Sequence, residues 1–252
     1  MTALGFGIDI GGSGIKGAVV DLDAGQLASE RLRIATPEPA TPDAIAEVVA
    51  DIVETFDWDG PVGITVPCVV KRGVAQTAAN IDPAWIGTDA DDLFAKRLGR
   101  DVDDIAILND ADAAGMAEVR FGDERARRGV VLLLTFGTGI GSALFIDGTL
   151  VPNTEFGHIE VDGEDGEDRA AASARENEDL GYPEWAERVT RYLTALEKVV
   201  WPDLVVVGGG ISKKSDKWVP LLTVRSTIGV ASLKNHAGIV GAALASSEGI
   251  EH

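Results

Sequence analysis

The chain has 252 residues, 45% of them apolar, enough for one large domain or two medium ones with their own cores. Forty-one acidic residues against 22 basic ones leave a net charge of −19, which disfavours general binding of nucleic acid or anionic membrane. The single cysteine, Cys68, excludes an internal disulfide and a cysteine-built zinc cluster, and no apolar run reaches the ~20 residues of a membrane span.

No basic leader precedes the first strand, so a cytoplasmic protein is expected. The first predicted element is a hairpin. Apolar runs Leu4–Ile10 and Ala18–Leu22 flank the stretch Asp9-Ile10-Gly11-Gly12-Ser13-Gly14-Ile15-Lys16-Gly17. Glycines lack Cβ, so several backbone N–H groups can converge on one anion. Asp9 at the rim suits Mg²⁺, directly or through water. Gly12, Gly14 and Gly17 also match the dinucleotide fingerprint, but that motif needs a helix opening inside the glycine run. Here Ala18–Leu22 reads as strand and Asp23-Ala24-Gly25 as a hairpin turn. Taken alone, such a turn is equally consistent with a hairpin that binds nothing.

A third strand is expected near Ala28–Ile34, then a loop marked by Pro37, Pro39 and Pro42. Thr41 caps a helix with Pro42 at its first position, and Ile45, Val48, Val49, Ile52, Val53 and Phe56 form its buried face. Val62–Pro67 reads as a buried strand, Val69–Ala75 as a small hairpin and Ala78–Trp85 as an irregular loop with Trp85 in the core. Thr88 and Asp91 resemble a capping box for a helix through Leu98, stopped by Gly99. Ile105–Leu108 is an apolar strand that ends in Asn109-Asp110, with a helix following at once. Polar residues at that end of a buried strand are where α/β folds place ligands.

Residues 130–151 then repeat the first hairpin. Gly137-Thr138-Gly139-Ile140 stands 125 positions after Gly12-Ser13-Gly14-Ile15, and Asp147-Gly148 supplies the turn. Two like halves, each opening on a hydroxyl-bearing glycine hairpin, suggest two lobes serving one phosphate chain. An acidic solvent loop is expected over 160–168. A long helix starts at Pro183 and stops before Pro202, with Trp185, Val189, Tyr192 or Leu193, Leu196, Val199 and Val200 buried. Leu204–Val207 is a buried strand with Gly208-Gly209-Gly210 as its exit. A basic segment, a β-run near Thr227–Ala231 and a small-residue helix from Gly238 to Ala245 complete the chain. Charge is uneven: residues 155–187 hold twelve acids against Arg169 and Arg175, whereas 212–236 hold five cations against Asp216 alone.

The duplicated hairpins, the Asn109-Asp110 pair and Glu155-Phe156-Gly157-His158 together resemble the ROK family of sugar kinases, and within it the polyphosphate-dependent glucokinases. The resemblance implies the actin-like, ribonuclease H-like two-lobed α/β fold. Its lobes would be residues 1–112 and 113–237, with a helix over about 238–250 packing back on the first. It implies transfer of the terminal phosphoryl group of inorganic polyphosphate, or of ATP, to the 6-hydroxyl of glucose or mannose, with Mg²⁺ and in a homodimer.

Under that resemblance Asp110 is the general base, and Asn80, Asn109, Glu155, His158 and Glu167 hold the sugar, with Thr65, Pro67, Gly137 and Thr138 beside it. The donor side is Asp9, Gly11, Gly12, Ser13, Gly14 and Lys16 from one lobe. Thr135, Gly137, Thr138, Gly139 and the Gly208, Gly209, Gly210 run supply the other. Lys213, Lys214, Lys217 and Arg225 would track a polyanion as point charges. The residues themselves leave Asp110 free to be only a helix cap, and Lys16 only an edge lysine. Many ROK proteins carry a cysteine-rich zinc motif after the histidine. Here Asp162-Gly163-Glu164-Asp165-Gly166-Glu167-Asp168 takes its place, so no zinc is expected and Glu167 stands in for the last sugar-binding acid. The alternatives are a ROK hexokinase using ATP alone, and a ROK sugar-sensing regulator without a DNA-binding domain, which salt-dependent DNA retention would separate.

Overall fold

Residues 2–79 and 81–249 are described by a computed structural model. The chain divides into two units: residues up to Ala117 together with those from His236 on, and Glu118–Asn235.

The first unit is built on one sheet. β1 (Leu4–Gly11) and β2 (Gly14–Asp21) form the predicted hairpin, extended by β3 (Gln26–Leu27) and β4 (Leu32–Ile34), both paired with β2. Of the third strand expected near Ala28–Ile34, only Leu32–Ile34 is strand, and the two-residue β3 precedes it. After α1 (Pro42–Thr55) comes β5 (Val62–Val66), parallel to β1. A small hairpin of β6 (Val70–Lys71) and β7 (Val74–Ala75), then α2 (Ala90–Leu98), lead to β8 (Ile105–Asn109), parallel to β5. The sheet order is β3-β2-β1-β5-β8. Thr41 caps α1 as expected, accepting from the Ala44 N–H. The cap of α2 is Asp89 rather than Thr88: its carboxylate accepts from the Asp92 N–H, while the Thr88 hydroxyl donates to the Ala84 carbonyl. Trp85 is wholly buried, its indole N–H on the Ala40 carbonyl.

α3 (Asp110–Phe121) follows β8 without a loop. The second unit's sheet is β9 (Val130–Phe136), β10 (Ile140–Ile146), β11 (Thr149–Val151), β14 (Leu204–Gly208) and β15 (Thr227–Val230), in the order β11-β10-β9-β14-β15. β9 and β10 are antiparallel, and β9, β14 and β15 run parallel. Position by position this order and these directions repeat the first sheet. The 125-residue offset read in the sequence is therefore a repeat of topology as well.

Between β11 and β14 the acidic stretch is not a plain loop. It forms the short hairpin β12 (Glu160–Val161) and β13 (Glu164–Asp165), then α4 (Gly166–Ala170) and α5 (Ala172–Asn177). α6 (Tyr182–Val199) lays Trp185, Val189, Tyr192, Leu193 and Leu196 on this core, where Trp185, Tyr192 and Trp218 pack around Phe136. Val199, expected inside, is 73% exposed, because the helix has turned past the sheet by its last residue.

α7 (Ala237–Glu248) belongs to the first unit and lies on β1 and β5. The fit depends on glycines. A Cβ at Gly7 would stand 1.9 Å from the Ile239 carbonyl oxygen, and one at Gly63 would stand 1.7 Å from that of Ala242. Only residues without a side chain let backbone meet backbone so closely.

Candidate active site

In the first unit the phosphate turn joins β1 to β2 with Gly11 opposite Gly14 and Asp9 opposite Lys16. Gly12 and Ser13 are exposed at its tip. Two side chains outside the hairpin brace it. The Thr36 hydroxyl donates to the Gly11 carbonyl at 2.5 Å, and the Arg33 guanidinium donates to the Ser13 carbonyl at 2.6 Å. These bonds fix the Gly11 and Ser13 carbonyls on side chains from outside the hairpin.

Asp9 is held from both sides. Its Oδ2 lies 2.7 Å from Lys16 Nζ and its Oδ1 accepts from the Thr65 hydroxyl at 3.3 Å. Thr65, expected beside the sugar, is instead wholly buried beneath Asp9. The first turn of α7 meets the same carboxylate: a Cβ at Gly238 would be 3.1 Å from Asp9 Oδ1. Asp9 is 17% exposed, one carboxylate already shared with an ammonium, which fits a Mg²⁺ that keeps most of its water and leans on substrate phosphates.

Asn109 and Asp110 stand where β8 becomes α3. The Asn109 side chain is committed to the fold. Its Oδ1 accepts from the Ala111 N–H at 2.8 Å and the Asp112 N–H at 3.2 Å, and its Nδ2 donates to the Cys68 carbonyl at 3.1 Å. Asn109 thus caps the helix on which Asp110 is the first residue, and Asp110 is partly exposed there. A carboxylate at a helix N-terminus also sits in a favourable dipole field. Pro67 helps line a pocket of about 260 Å³ with Gly11, Gly12, Thr36, Glu38 and Ile81. Asn80 lies outside the described residues.

In the second unit the structure brings Glu155, His158 and Glu167 together. Glu167 Oε2 accepts from the Ile140 N–H at 2.8 Å, directly after the glycine turn. The same carboxylate would clash with a Cβ at Gly139 or Gly157, at 2.4 and 3.0 Å. So the second glycine hairpin and the Glu155–His158 segment close on one acid. Asp165, which no local pattern singled out, lies 3.0 Å from His158 Nδ1. That bond raises the His158 pKa above its ordinary value, against some desolvation and with help from Glu167. Burial pushes the Glu155 carboxyl up as well; His158 opposes the shift and Glu167 adds to it. Burial likewise drives the Tyr192 phenol far above its usual range, and its hydroxyl holds the Phe156 carbonyl at 3.1 Å. Two carboxylates and an imidazole offer acceptors and a donor that can read adjacent sugar hydroxyls.

The second turn has its own brace, also missed in the sequence. Ser173 donates its N–H to the Gly137 carbonyl at 3.1 Å and its hydroxyl to the Thr138 carbonyl at 2.5 Å. Thr135 pairs with Gly208 across β9 and β14, so both strands end at one sheet edge. There Gly209, at φ +79°, packs on the backbone of Phe136, 2.3 Å from its carbonyl oxygen to a notional Cβ. Lys213, Lys214 and Lys217 follow, exposed, on the short helix Gly210–Lys217. Arg225 is not with them. It precedes β15, at the opposite end of the sheet, where it stacks 4.1 Å from the Trp201 ring and bonds the Pro202 carbonyl.

The ROK family profile matches residues 5–176. The chain belongs to the ROK family. Over 248 residues it is 57% identical to a polyphosphate glucokinase of Mycobacterium tuberculosis (strain CDC 1551 / Oshkosh), covering 98% of this chain and 93% of that one. Its structure is similar to that of an inorganic polyphosphate/ATP-glucomannokinase from Arthrobacter sp. strain KM, with a TM-score of 0.91, 47% identity and coverage of 98% and 99%. It is also similar to a ROK family glucokinase from Streptomyces griseus in complex with glucose and AMPPNP, with a TM-score of 0.81, 26% identity and coverage of 98% and 100%. The two-lobed α/β fold expected of a ROK sugar kinase is thus the one observed. Among the described residues of this ROK chain, no helix is long and apolar enough to cross a membrane. No group of three or more His, Cys, Asp or Glu side chains among them is placed to hold a metal ion.

Proposed function

We propose that the protein is a phosphotransferase that moves the terminal phosphoryl group of inorganic polyphosphate to the 6-hydroxyl of glucose. The observation that carries this reading is the 57% identity to a polyphosphate glucokinase across 98% of the chain. Asp110 accepts the proton of the 6-hydroxyl as its oxygen attacks the terminal phosphorus. The phosphoanhydride bond breaks, and polyphosphate one unit shorter departs. Asn109 is a positioning residue that fixes Asp110 at the start of α3. Glu155, His158 and Glu167 orient the sugar, and N–H groups of the turns at Gly11–Gly14 and Thr138–Gly139 take phosphate oxygens, the Gly137 N–H being spent on the Gly139 carbonyl at 2.9 Å. Such reactions are catalysed mostly by positioning and charge stabilisation. Mg²⁺ is the cofactor in this reading: Asp9 would hold it through water, and when bound it neutralises phosphate charge.

ATP as a second donor, mannose as a second acceptor and a homodimeric state belong to the same proposal. A grid of hexoses against polyphosphate and ATP, read by coupled detection of the hexose 6-phosphate, tests it. Product from glucose and polyphosphate is expected. Product with ATP alone would overturn the donor, and no product with either would overturn the kinase.

A further inference from the structure

Two elements of the second unit start at its glycine turn. α5 is tied to Gly137 and Thr138 through Ser173, and the Gly210–Lys217 helix begins at Gly209, packed on Phe136. Each carries a cation to the same aromatic ring. The Arg175 guanidinium lies 4.3 Å from the Tyr182 ring centroid, and Lys217 Nζ lies 5.7 Å from it. In a chain with 41 acids and 22 bases, two neighbouring cations would ordinarily be paired. Neither forms an ion pair with any described residue. Glu178 is engaged by both guanidinium nitrogens of Arg188, at 2.7 and 2.6 Å. Asp216, on the same short helix as Lys217, is exposed and is the one opposing charge on that element. Arg175 Nε is also buried, without a hydrogen-bond partner among the described residues.

A buried donor left unmade is costly, and native structures rarely tolerate one without a reason. Like charges gathered on one ring repel each other unless an anion joins them. Tyr182 holds the guanidinium by its face, which leaves the planar fork free to bind two oxygens at once. We propose that Arg175, Tyr182 and Lys217 form a subsite for a linear phosphoanhydride chain, beyond the phosphoryl group that is transferred. The inference rests on the polyphosphate reading above. It adds Arg175 and Tyr182 to the donor side and gives Lys217 a partner there. Lys213 and Lys214, on the same helix, continue the positive stripe.

The test compares long-chain polyphosphate with inorganic tripolyphosphate, which carries only two phosphoryl groups beyond the one transferred and so offers the subsite far less chain. R175Q should lower kcat/KM for the long chain about tenfold, one lost charge-assisted contact, and lower that for tripolyphosphate much less. R175K should recover part of the loss, and K217Q, at an exposed position, should reproduce the pattern if R175Q fails to fold. Isothermal titration without sugar gives a second readout. Wild-type protein should bind the long chain more tightly than tripolyphosphate, and R175Q should erase that difference. Equal loss with both lengths, or no loss with either, overturns the subsite. A wild-type protein that makes no glucose 6-phosphate from polyphosphate overturns the proposed function instead, and the titration still decides whether the subsite binds the chain.

Discussion

Replacing Asn109 with Ala separates the two roles an amide beside a catalytic carboxylate can have. The side chain makes three hydrogen bonds, two to the first N–H groups of α3 and one to the Cys68 carbonyl, and Asn109 is only 9% exposed. Loss of an N-cap costs about 0.5–2 kcal/mol, and taking a buried donor from a carbonyl costs about 1–3 kcal/mol, so N109A should lose about 2–4 kcal/mol of stability. Urea unfolding followed by far-ultraviolet circular dichroism reads this as a lower midpoint. The start of α3 also carries Asp110, so kcat for glucose phosphorylation should fall at least about tenfold under conditions where the variant stays folded. KM for glucose should barely move, because the amide is spent on the fold and not on the sugar. A raised KM with unchanged kcat and midpoint would show that Asn109 binds sugar and would refute the capping argument.

Other outcomes follow from single contacts. G63A drives a methyl group into the Ala242 carbonyl, so α7 must lift from β5; the loss should exceed about 3 kcal/mol, and a loss below about 1 kcal/mol would contradict the packing. D165N replaces the carboxylate that raises the His158 pKa with a neutral amide, so the His158 titration followed by NMR should move down toward its ordinary value. The sign for stability follows. With a raised folded pKa, the His158–Asp165 contribution is full below about pH 6.5 and is lost as pH rises through the folded pKa, and D165N should flatten that dependence. An unchanged histidine titration in D165N would rule out the pair as the cause.

What the sequence shows and what it hides divides along contact distance. The two glycine hairpins are written locally, in apolar runs around Gly12-Ser13-Gly14 and Gly137-Thr138-Gly139, and the constant offset between them anticipates two sheets of one topology. Thr41 and Pro42 announce α1 within two residues. Thr88 misled because Asp89, next to it, offers a carboxylate acceptor to the Asp92 N–H, and the threonine hydroxyl donates to the Ala84 carbonyl instead. The contacts that build the site leave no local trace. Thr65 reaches Asp9 across 56 positions, and Glu167 reaches Ile140 across 27. Read in sequence, the acids at 160–168 resemble a solvated loop. In the fold, Asp165 and Glu167 turn inward to His158 and the glycine turn because β12, β13 and α4 fold that stretch back. Arg225 looked like part of the basic stripe only because sequence proximity hides the direction of β15.

The central claim is proton abstraction by Asp110 during transfer from polyphosphate, and phosphorus NMR of D110N beside the wild type addresses it most directly. With glucose and long-chain polyphosphate, the wild-type protein should produce a growing glucose 6-phosphate resonance as terminal phosphates are consumed. D110N should bind glucose with near wild-type affinity by titration and yet produce almost no such signal. A D110N protein that forms the ester at close to the wild-type rate would contradict the account.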